Sequence, residues 1–143
     1  MKFRLILFAV LSIFFIKGNA QNIITLSETP DQITCQVTVT GVKEKKATEA
    51  AESALRYALF FRGLPDSKYC KTPLTGTDER VASQHPQYFK EMFEKGRFST
   101  FITNIYFENY TKKNKISVIC FTVNLKALRL DLETQGVKRR FGI

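Results

Sequence analysis

The fold is decided by residues 33–63, ITCQVTVTGVKEKKATEAAESALRYALFFRG. The stretch opens with apolar and polar side chains in strict alternation, which is the period of a strand with one buried face. The residues on the buried face are Ile33, Cys35, Val37 and Val39. The alternation therefore predicts a half-buried strand that ends at Gly41.

A helix is predicted directly after this strand, over residues 45–62. Small and apolar side chains recur there at helical spacing, and Gly63 is suited to a C-terminal cap. The residues of this stripe are Ala47, Ala50, Ala51, Ala54, Leu55, Ala58 and Leu59. Because small side chains let a helix axis approach a sheet closely, the strand and helix together favour a two-layer α+β packing.

A long loop and a short helix are predicted next. Residues 63–84 contain Pro, Gly and several small polar residues without any sustained period, which is typical of a loop. Pro86 then stands near a helix start, with apolar residues on one side of residues 86–95. Loops as long as this one usually carry function or are mobile.

The C-terminal part of the chain predicts a hairpin and a last helix. Two β-rich runs, 97–110 and 115–123, are joined by a turn in which Asn114 suits the tight conformation. Asn124 can cap the following helix, which Gly136 ends. Its predicted buried residues are Leu125, Leu128 and Leu132.

The predicted order is β-α-(loop)-α-β-β-α, with a small, mainly antiparallel sheet of at least three strands packed on helices. The run 115–123 has apolar residues on both faces, so we expect it to be a central strand. Its second face then needs to be covered by a helix or by a partner.

Residues 1–20 have the pattern of a cleavable secretory signal peptide. A basic start is followed by apolar residues 5–16, and small residues precede a cleavage site between Ala20 and Gln21. As a membrane anchor this segment is too short, since twelve residues make a helix of about 18 Å against a hydrocarbon core of roughly 30 Å. Lipid attachment needs a cysteine directly after the cut, and the first cysteine is Cys35.

The mature chain is then one domain of residues 21–143, with residues 21–32 and 137–143 expected to be loosely ordered. We expect it to be exported to the periplasm, to the outer membrane or to the medium, with no transmembrane anchor after cleavage. Removal of the signal takes three of the 22 basic residues and none of the 13 acidic ones, so the net charge falls from +9 to about +6. That charge favours an anionic surface such as lipid head groups or acidic polymers, and export argues against nucleic acid. The expected partner is an envelope protein or a surface polymer.

Catalytic chemistry has little support in the sequence. The single histidine, His85, limits general-base, triad and zinc arrangements, and no phosphate-binding glycine motif, nucleophile elbow or Cys-x-x-Cys motif is present. Cys70 and His85 lie in or beside the long loop and form the one candidate nucleophile pair, without a third orienting group. We therefore expect no catalytic residues, no cofactor and no metal, and a protein that is not an enzyme.

Three cysteines are an odd number for an oxidising compartment. Cys35 and Cys120 both lie on apolar faces of predicted strands. They form a disulfide if those strands are neighbours with facing side chains, and otherwise both are buried thiols that act as small hydrophobic side chains.

The strand 37–41, running through a charged link into the alanine-rich helix 47–59, resembles a unit of small exported bacterial domains. These include the N-terminal domain of the flagellar outer-membrane ring protein and related surface lipoproteins. Residues 88–93, 96–98 and 128–133 also resemble exported proteins of gut and oral Gram-negative bacteria. The resemblance implies an envelope accessory or assembly module with no catalytic residues, although the lipid-attachment cysteine of the first group is absent here.

The function expected from the sequence is that of an exported, non-enzymatic interaction domain of the cell envelope. The alternative is a periplasmic or secreted ligand-binding domain that uses the loop 63–85, with Tyr69, Tyr88 and Phe89 lining a pocket. A cysteine-dependent enzyme is the third hypothesis.

Overall fold

The computed structural model describes residues 19–76 and 80–138 of this chain. Within them, four strands form one antiparallel sheet in the spatial order β1-β2-β4-β3. The strands are β1 (Asn19–Glu28), β2 (Gln32–Thr40), β3 (Ile102–Thr111) and β4 (Ile116–Asn124). The helices are α1 (Glu44–Tyr57), α2 (Val81–Gln84), α3 (Pro86–Phe93) and α4 (Leu125–Thr134), with a π-helical turn at Ala58–Arg62 and a 3₁₀ turn at Arg97–Phe101. The predicted small α+β fold is confirmed.

The strand β2 and the helix α1 form the centre of the fold. The alternation in β2 is confirmed, because the four apolar side chains predicted for its buried face have no exposed surface. On α1, the buried residues Ala47, Ala51 and Leu55 form the inner stripe that packs against the sheet, over β2 and β4. Small alanine side chains allow this close approach, as the sequence predicted.

The end of α1 widens into the π-helical turn, and the following loop returns onto it. The amide of Leu74 donates to the carbonyl of Leu59 at 2.8 Å, and the hydroxyl of Thr75 donates to the carbonyl of Phe60 at 2.7 Å. Carbonyl groups at a helix end lack partners inside the helix, and here the loop supplies them. The loop is therefore packed against the domain by hydrogen bonds that the sequence pattern did not predict.

The hairpin of β3 and β4 is confirmed, with two corrections. Residues 97–101 were predicted to be part of the first strand but form the 3₁₀ turn, and Phe98 in that turn is fully buried. The positive φ of the hairpin turn, 49°, is at Lys115 rather than Asn114. As predicted, β4 is a central strand, since it pairs with β2 on one side and β3 on the other.

The first strand, β1, was not predicted. Residues 21–32 were expected to be loosely ordered, but most of them pair with β2, starting with Asn22 opposite Thr38 and Ile23 opposite Val37. The pairing adds a fourth strand at the edge of the sheet. Of the signal peptide, residues 1–18 lie outside the described residues, and of the C-terminal segment, residues 139–143 do. Val137 of that segment is buried against the core.

The last helix, α4, begins and is oriented as predicted. The side-chain oxygen of Asn124 accepts a hydrogen bond from the amide of Ala127 at 3.0 Å, which caps the helix. Its inward residues, Leu125, Leu128 and Leu132, are fully buried. Because α4 follows β4 directly, the helix packs back over the same face of the sheet that α1 covers.

Candidate functional site

The strand β3 is the outer strand of the sheet, on the side opposite β1. Among the described residues it pairs only with β4, so the backbone groups on its outer side have no strand partner. Such an edge can pair with a strand of another chain. Residues 104–107, which pair with β4 in continuous register between two irregularities, are called the β3 edge below.

The β3 edge exposes large apolar side chains. Ile105 is 47% exposed, Tyr106 is 59% exposed and Phe107 is 37% exposed. Adjacent residues in a strand point to opposite faces, so these three side chains lie on both sides of the sheet. The exposure follows from the position of the helices, since α1 and α4 pack against the inner strands and leave β3 uncovered. Ile105 and Phe107 share one face and Tyr106 is on the other, and exposed apolar side chains on an unpaired edge favour binding of another chain.

The other edge of the sheet, at β1, is covered by part of the chain. Residues 64–70 form a closed loop, in which the amide of Leu64 donates to the carbonyl of Cys70 at 2.7 Å. Asp66 of this loop accepts hydrogen bonds from the backbone amide of Thr25 at 2.8 Å and from its hydroxyl at 2.9 Å. The 64–70 loop therefore occupies one backbone donor of β1, and no equivalent hydrogen bond covers β3 among the described residues.

Glu28 at the end of β1 is a second anchor of the 64–70 loop. Its carboxylate accepts hydrogen bonds from the Ser67 hydroxyl at 2.5 Å and from the Lys68 amide at 2.6 Å. Desolvation opposes the charged form of Glu28, but these donors outweigh it and lower the pKa of the carboxyl group. The loop is thus held against β1 by the carboxylates of Asp66 and Glu28.

Charge around the β3 edge is mostly positive. The turn that follows β3 contains Lys112, Lys113 and Lys115, and the strand itself has one acidic residue, Glu108. The Glu108 carboxylate already accepts a hydrogen bond from the Cys120 thiol at 3.6 Å. The edge thus combines an apolar segment with a basic end, which favours an acidic partner.

The structure does not bring together all three aromatic residues proposed for a ligand pocket, Tyr69, Tyr88 and Phe89. Tyr88 and Phe89 are only 7% and 8% exposed, and they belong to the hydrophobic core rather than to a cleft wall. The Phe89 ring lies 6.0 Å from Phe60 and 5.5 Å from Phe61. Tyr69 is half-buried, and among the described residues no ring contact joins it to Tyr88 or Phe89. The predicted pocket lining is therefore wrong for Tyr88 and Phe89.

A Cys35–Cys120 disulfide, one of the two alternatives that the sequence leaves open, is excluded by the register of the sheet. Cys35 is opposite Phe121, and Cys120 is opposite Gln36. Since successive side chains alternate between faces, Cys35 points to the helices and Cys120 points to the open face. All three cysteines are free thiols in the structure.

Among the described residues, no hydrogen bond joins Cys70 to His85. Cys70 is buried, and burial raises the pKa of its thiol, which opposes thiolate formation. His85 stands at the N-cap of α3 and makes no side-chain cap hydrogen bond. Within residues 19–76 and 80–138, no group of three or more His, Cys, Asp and Glu residues could hold a metal ion, and no helix is long and apolar enough to cross a membrane.

The β3 edge was missed because the pattern of residues 97–110 predicts a hairpin strand but does not say that this strand is the outermost one of the sheet. One signal was available: Ile105, Tyr106 and Phe107 are consecutive, so one face of an edge strand must leave large side chains uncovered. Comparisons of the chain with protein-family models, with curated proteins and with solved structures found no match.

Proposed function

We propose that this chain is an exported, non-enzymatic interaction domain of the cell envelope that binds an extended segment of another protein along the β3 edge. The observation that carries the proposal is the exposure of Ile105, Tyr106 and Phe107 on an outer strand, which has no strand on its outer side within residues 19–76 and 80–138. A partner strand would satisfy the backbone groups of β3 and cover these side chains at the same time.

The irregularities in β3 set the length of the partner segment. Register shifts lie between Ile102 and Asn104 and between Phe107 and Asn109. Bulges interrupt pairing and twist an edge away from further strands. A short segment of about four paired residues therefore fits this edge, and open-ended sheet growth is disfavoured.

The charge of the surroundings defines the chemistry of the partner. Apolar side chains at alternate positions would pack on Ile105 and Phe107, and acidic residues would face the lysines that follow β3. An extended acidic protein segment is the occupant that meets both requirements. An anionic surface polymer would use the lysines but not the apolar side chains.

Export and the lack of catalysis are supported by the sequence. Residues 1–20 have the order of a signal peptide, and the strand and alanine-rich helix resemble exported envelope domains without catalytic residues. The ligand-binding alternative is less favoured, since the 64–70 loop is held against β1 and Tyr88 and Phe89 are in the core.

The proposal is tested with the mature protein and a fluorescent octapeptide that alternates valine and glutamate. We expect this peptide to bind, and the same peptide with lysine in place of glutamate to fail. Ile105→Asp removes an apolar contact and adds a repelling charge, so it should weaken binding by about tenfold or more. Amide hydrogen exchange at residues 104–107 should slow when the acidic peptide is bound.

The matched control is Leu130→Asp, because Leu130 is 57% exposed on α4, away from β3. It should change binding by less than about twofold. Strand addition at the β3 edge would be contradicted if the two variants bound the acidic peptide equally well. It would also be contradicted if an anionic polysaccharide bound tightly and Ile105→Asp did not affect that binding.

A further inference from the structure

The sheet has a second face, opposite the helices, which is called the open face below. The buried side chains of β2 and β4 point to the helices, so the alternate residues of these strands point the other way. Among the described residues, every side chain on the open face is half-buried or exposed. The cover that the second face of β4 was expected to need is therefore not supplied by a helix of the described chain.

Apolar side chains run both across and along the open face. One row crosses all four strands, and each of its members is the register partner of the next: Ile24, Gln36, Cys120 and Tyr106. At the two ends of this row, Ile24 is 39% exposed and Tyr106 is 59% exposed. Along β4, the half-buried Val118 continues the apolar surface from Cys120. Water therefore contacts a broad, flat surface that is partly apolar.

The open face is uncharged. Within the described chain, no position that strand pairing assigns to this face is Asp, Glu, Lys or Arg, although 24% of all residues are charged. Its polar groups are hydroxyls and amides, and the hydroxyls of Thr34 and Thr122 bond each other at 3.0 Å. Glu108 lies at the margin, in an irregularity of β3, where its carboxylate accepts the bond from the Cys120 thiol. Depletion of charge is typical of the core of an interface.

The charge distribution favours a second copy of this chain as the occupant. A partner that is recognised by its charge gains nothing on an uncharged face, whereas the same face of a second copy meets it without like-charge repulsion. The mature chain has a net charge of about +6, so two copies repel each other over much of the remaining surface. The open face is the part of the sheet where two copies can approach each other.

The area of the open face is large enough for a dimer. β2 and β4 have 9 residues each. This gives a length of about 30 Å, and four strands give a width of about 19 Å. Two copies that stack these faces cover about 1,100 Å² in total, against the roughly 1,000 Å² that a specific interface needs. Two twisted sheets stack in this way about 10 Å apart, with strand directions within about 30° of each other.

We propose that the protein forms a symmetric dimer in which the open faces of two copies stack on each other, like the two sheets of a β-sandwich. The helices of both copies then lie on the outside. The dimer covers Tyr106 and the apolar side chains of β4. It leaves Ile105 and Phe107, which point to the helix side, available to a partner strand at the β3 edge. The dimer therefore goes beyond the proposed function and does not depend on it.

The first test is sedimentation velocity of the mature protein at concentrations from about 1 µM to about 500 µM. We expect a monomer–dimer equilibrium with a Kd in the micromolar range, since an interface near the lower limit of area is weak. Added salt should not weaken the dimer, because it screens the repulsion between two basic copies and no ion pair holds the open faces together. A protein that stays monomeric over this range, or a dimer that salt dissociates, would overturn the inference.

A charge placed in the open face should separate the two copies. Thr38 is half-buried on this face, beside Val118, and Thr38→Arg should raise the Kd of the dimer by about tenfold or more, because the buried charge has no partner. The matched control is Thr48→Arg, the same change at a half-buried position of α1 in the helix layer. It should change the Kd by less than about twofold. Equal effects of the two changes, or a dimer that Ile105→Asp dissociates and Thr38→Arg does not, would contradict stacking.

Cys120 gives a second measurement that needs no variant. Cys35 and Cys70 are buried, and Cys120 is the half-buried thiol on the open face. Its reaction with excess maleimide should slow by about fivefold at a protein concentration about ten times the Kd, since only the monomer exposes the thiol. A rate that does not depend on protein concentration would contradict a dimer through this face.

Failure of the dimer and failure of the proposed function give different results. A monomeric protein that still binds the acidic octapeptide would overturn the stacked dimer and retain strand addition at the β3 edge. A dimer that Thr38→Arg dissociates, in a protein that does not bind the octapeptide, would support stacking and contradict strand addition.

Discussion

At the scale of single residues, the Asp131 carboxylate joins three elements. It accepts hydrogen bonds from the Tyr88 hydroxyl of α3 at 2.9 Å and from Arg97 Nε of the 3₁₀ turn at 3.3 Å. Arg97 Nη2 bonds its second oxygen as well. Burial, and then the bond to Asp131, raises the pKa of Tyr88 above its usual value near 10. This network holds α3 and α4 together, and it explains why Tyr88 is part of the core.

Tyr88 makes stability depend on pH in the alkaline range. The unfolded chain releases the Tyr88 proton from about pH 10, whereas the folded chain keeps it. Its contribution to the free energy of unfolding is therefore present below about pH 10 and lost as the pH rises further. We predict that Tyr88→Phe has a smaller fall in stability between pH 8 and 11, measured by urea unfolding.

Exposed Tyr106→Phe is the control for this measurement, and it should retain the pH dependence of the unmodified protein. If the free energy of unfolding fell by the same amount between pH 8 and 11 in Tyr88→Phe and in the unmodified protein, the buried Tyr88 hydroxyl would not contribute to the pH dependence.

At the scale of elements, Gly63 determines how α1 is joined to the following loop. It has φ 80° and ψ 166°, a conformation that is open almost only to glycine. A Cβ atom at this position would collide with the carbonyl oxygen of Lys71. The close approach lets the loop return to the π-helical turn, where Leu74 and Thr75 bond its carbonyls. The sequence predicted a glycine cap here but not this second constraint.

We predict that Gly63→Ala destabilises the domain by more than about 3 kcal/mol, since backbone strain and a steric collision add. Gly136→Ala is the matched comparison: its φ is also positive, at 72°, but a Cβ atom there meets nothing within 4 Å. Gly136→Ala should lower the free energy of unfolding by about 1 kcal/mol. Urea unfolding of both variants measures the difference, and equal losses would refute the role of the Lys71 contact.

Element boundaries were predictable where one local pattern determined them. The alternation in β2 and the cap at Asn124 are properties of neighbouring residues, and both were confirmed. Residues 97–101 have β-forming side chains but bend into a 3₁₀ turn, which places Phe98 6.2 Å from Phe60 in the core. Tertiary packing overrides local propensity at that point.

At the scale of the whole molecule, the two edges of the sheet have different surroundings. Both outer strands expose large apolar side chains, Ile24 and Leu26 on β1 and residues 105–107 on β3, but among the described residues only β1 is bonded by the 64–70 loop, through Asp66 and Glu28. An isolated domain protects its edges against association, so an edge left uncovered is a candidate for binding. This asymmetry is the whole-molecule property on which the proposed function depends.

Signal cleavage is compatible with the fold, because most of β1 lies after the cleavage site. Cleavage between Ala20 and Gln21 removes the pair of Asn19 with Thr40 and keeps the pairs from Asn22 onward. We predict that the protein recovered from the periplasm or medium of a Gram-negative host begins at Gln21, as shown by intact mass and N-terminal sequencing. Ala20→Arg, which puts a large side chain at the cut, should accumulate precursor; recovery of exported protein that begins at Met1 would contradict the prediction.

The sequence by itself determined the α+β class, the order of most elements and the buried face of β2, because these depend on periodicity and on caps within a few residues. Only the tertiary structure decided that β1 exists as a strand, that β3 is exposed at an edge, and that Cys35 and Cys120 point to opposite faces of the sheet. These features depend on contacts between residues far apart in the chain. No local pattern specifies which strand lies outermost or which side chains meet across the sheet.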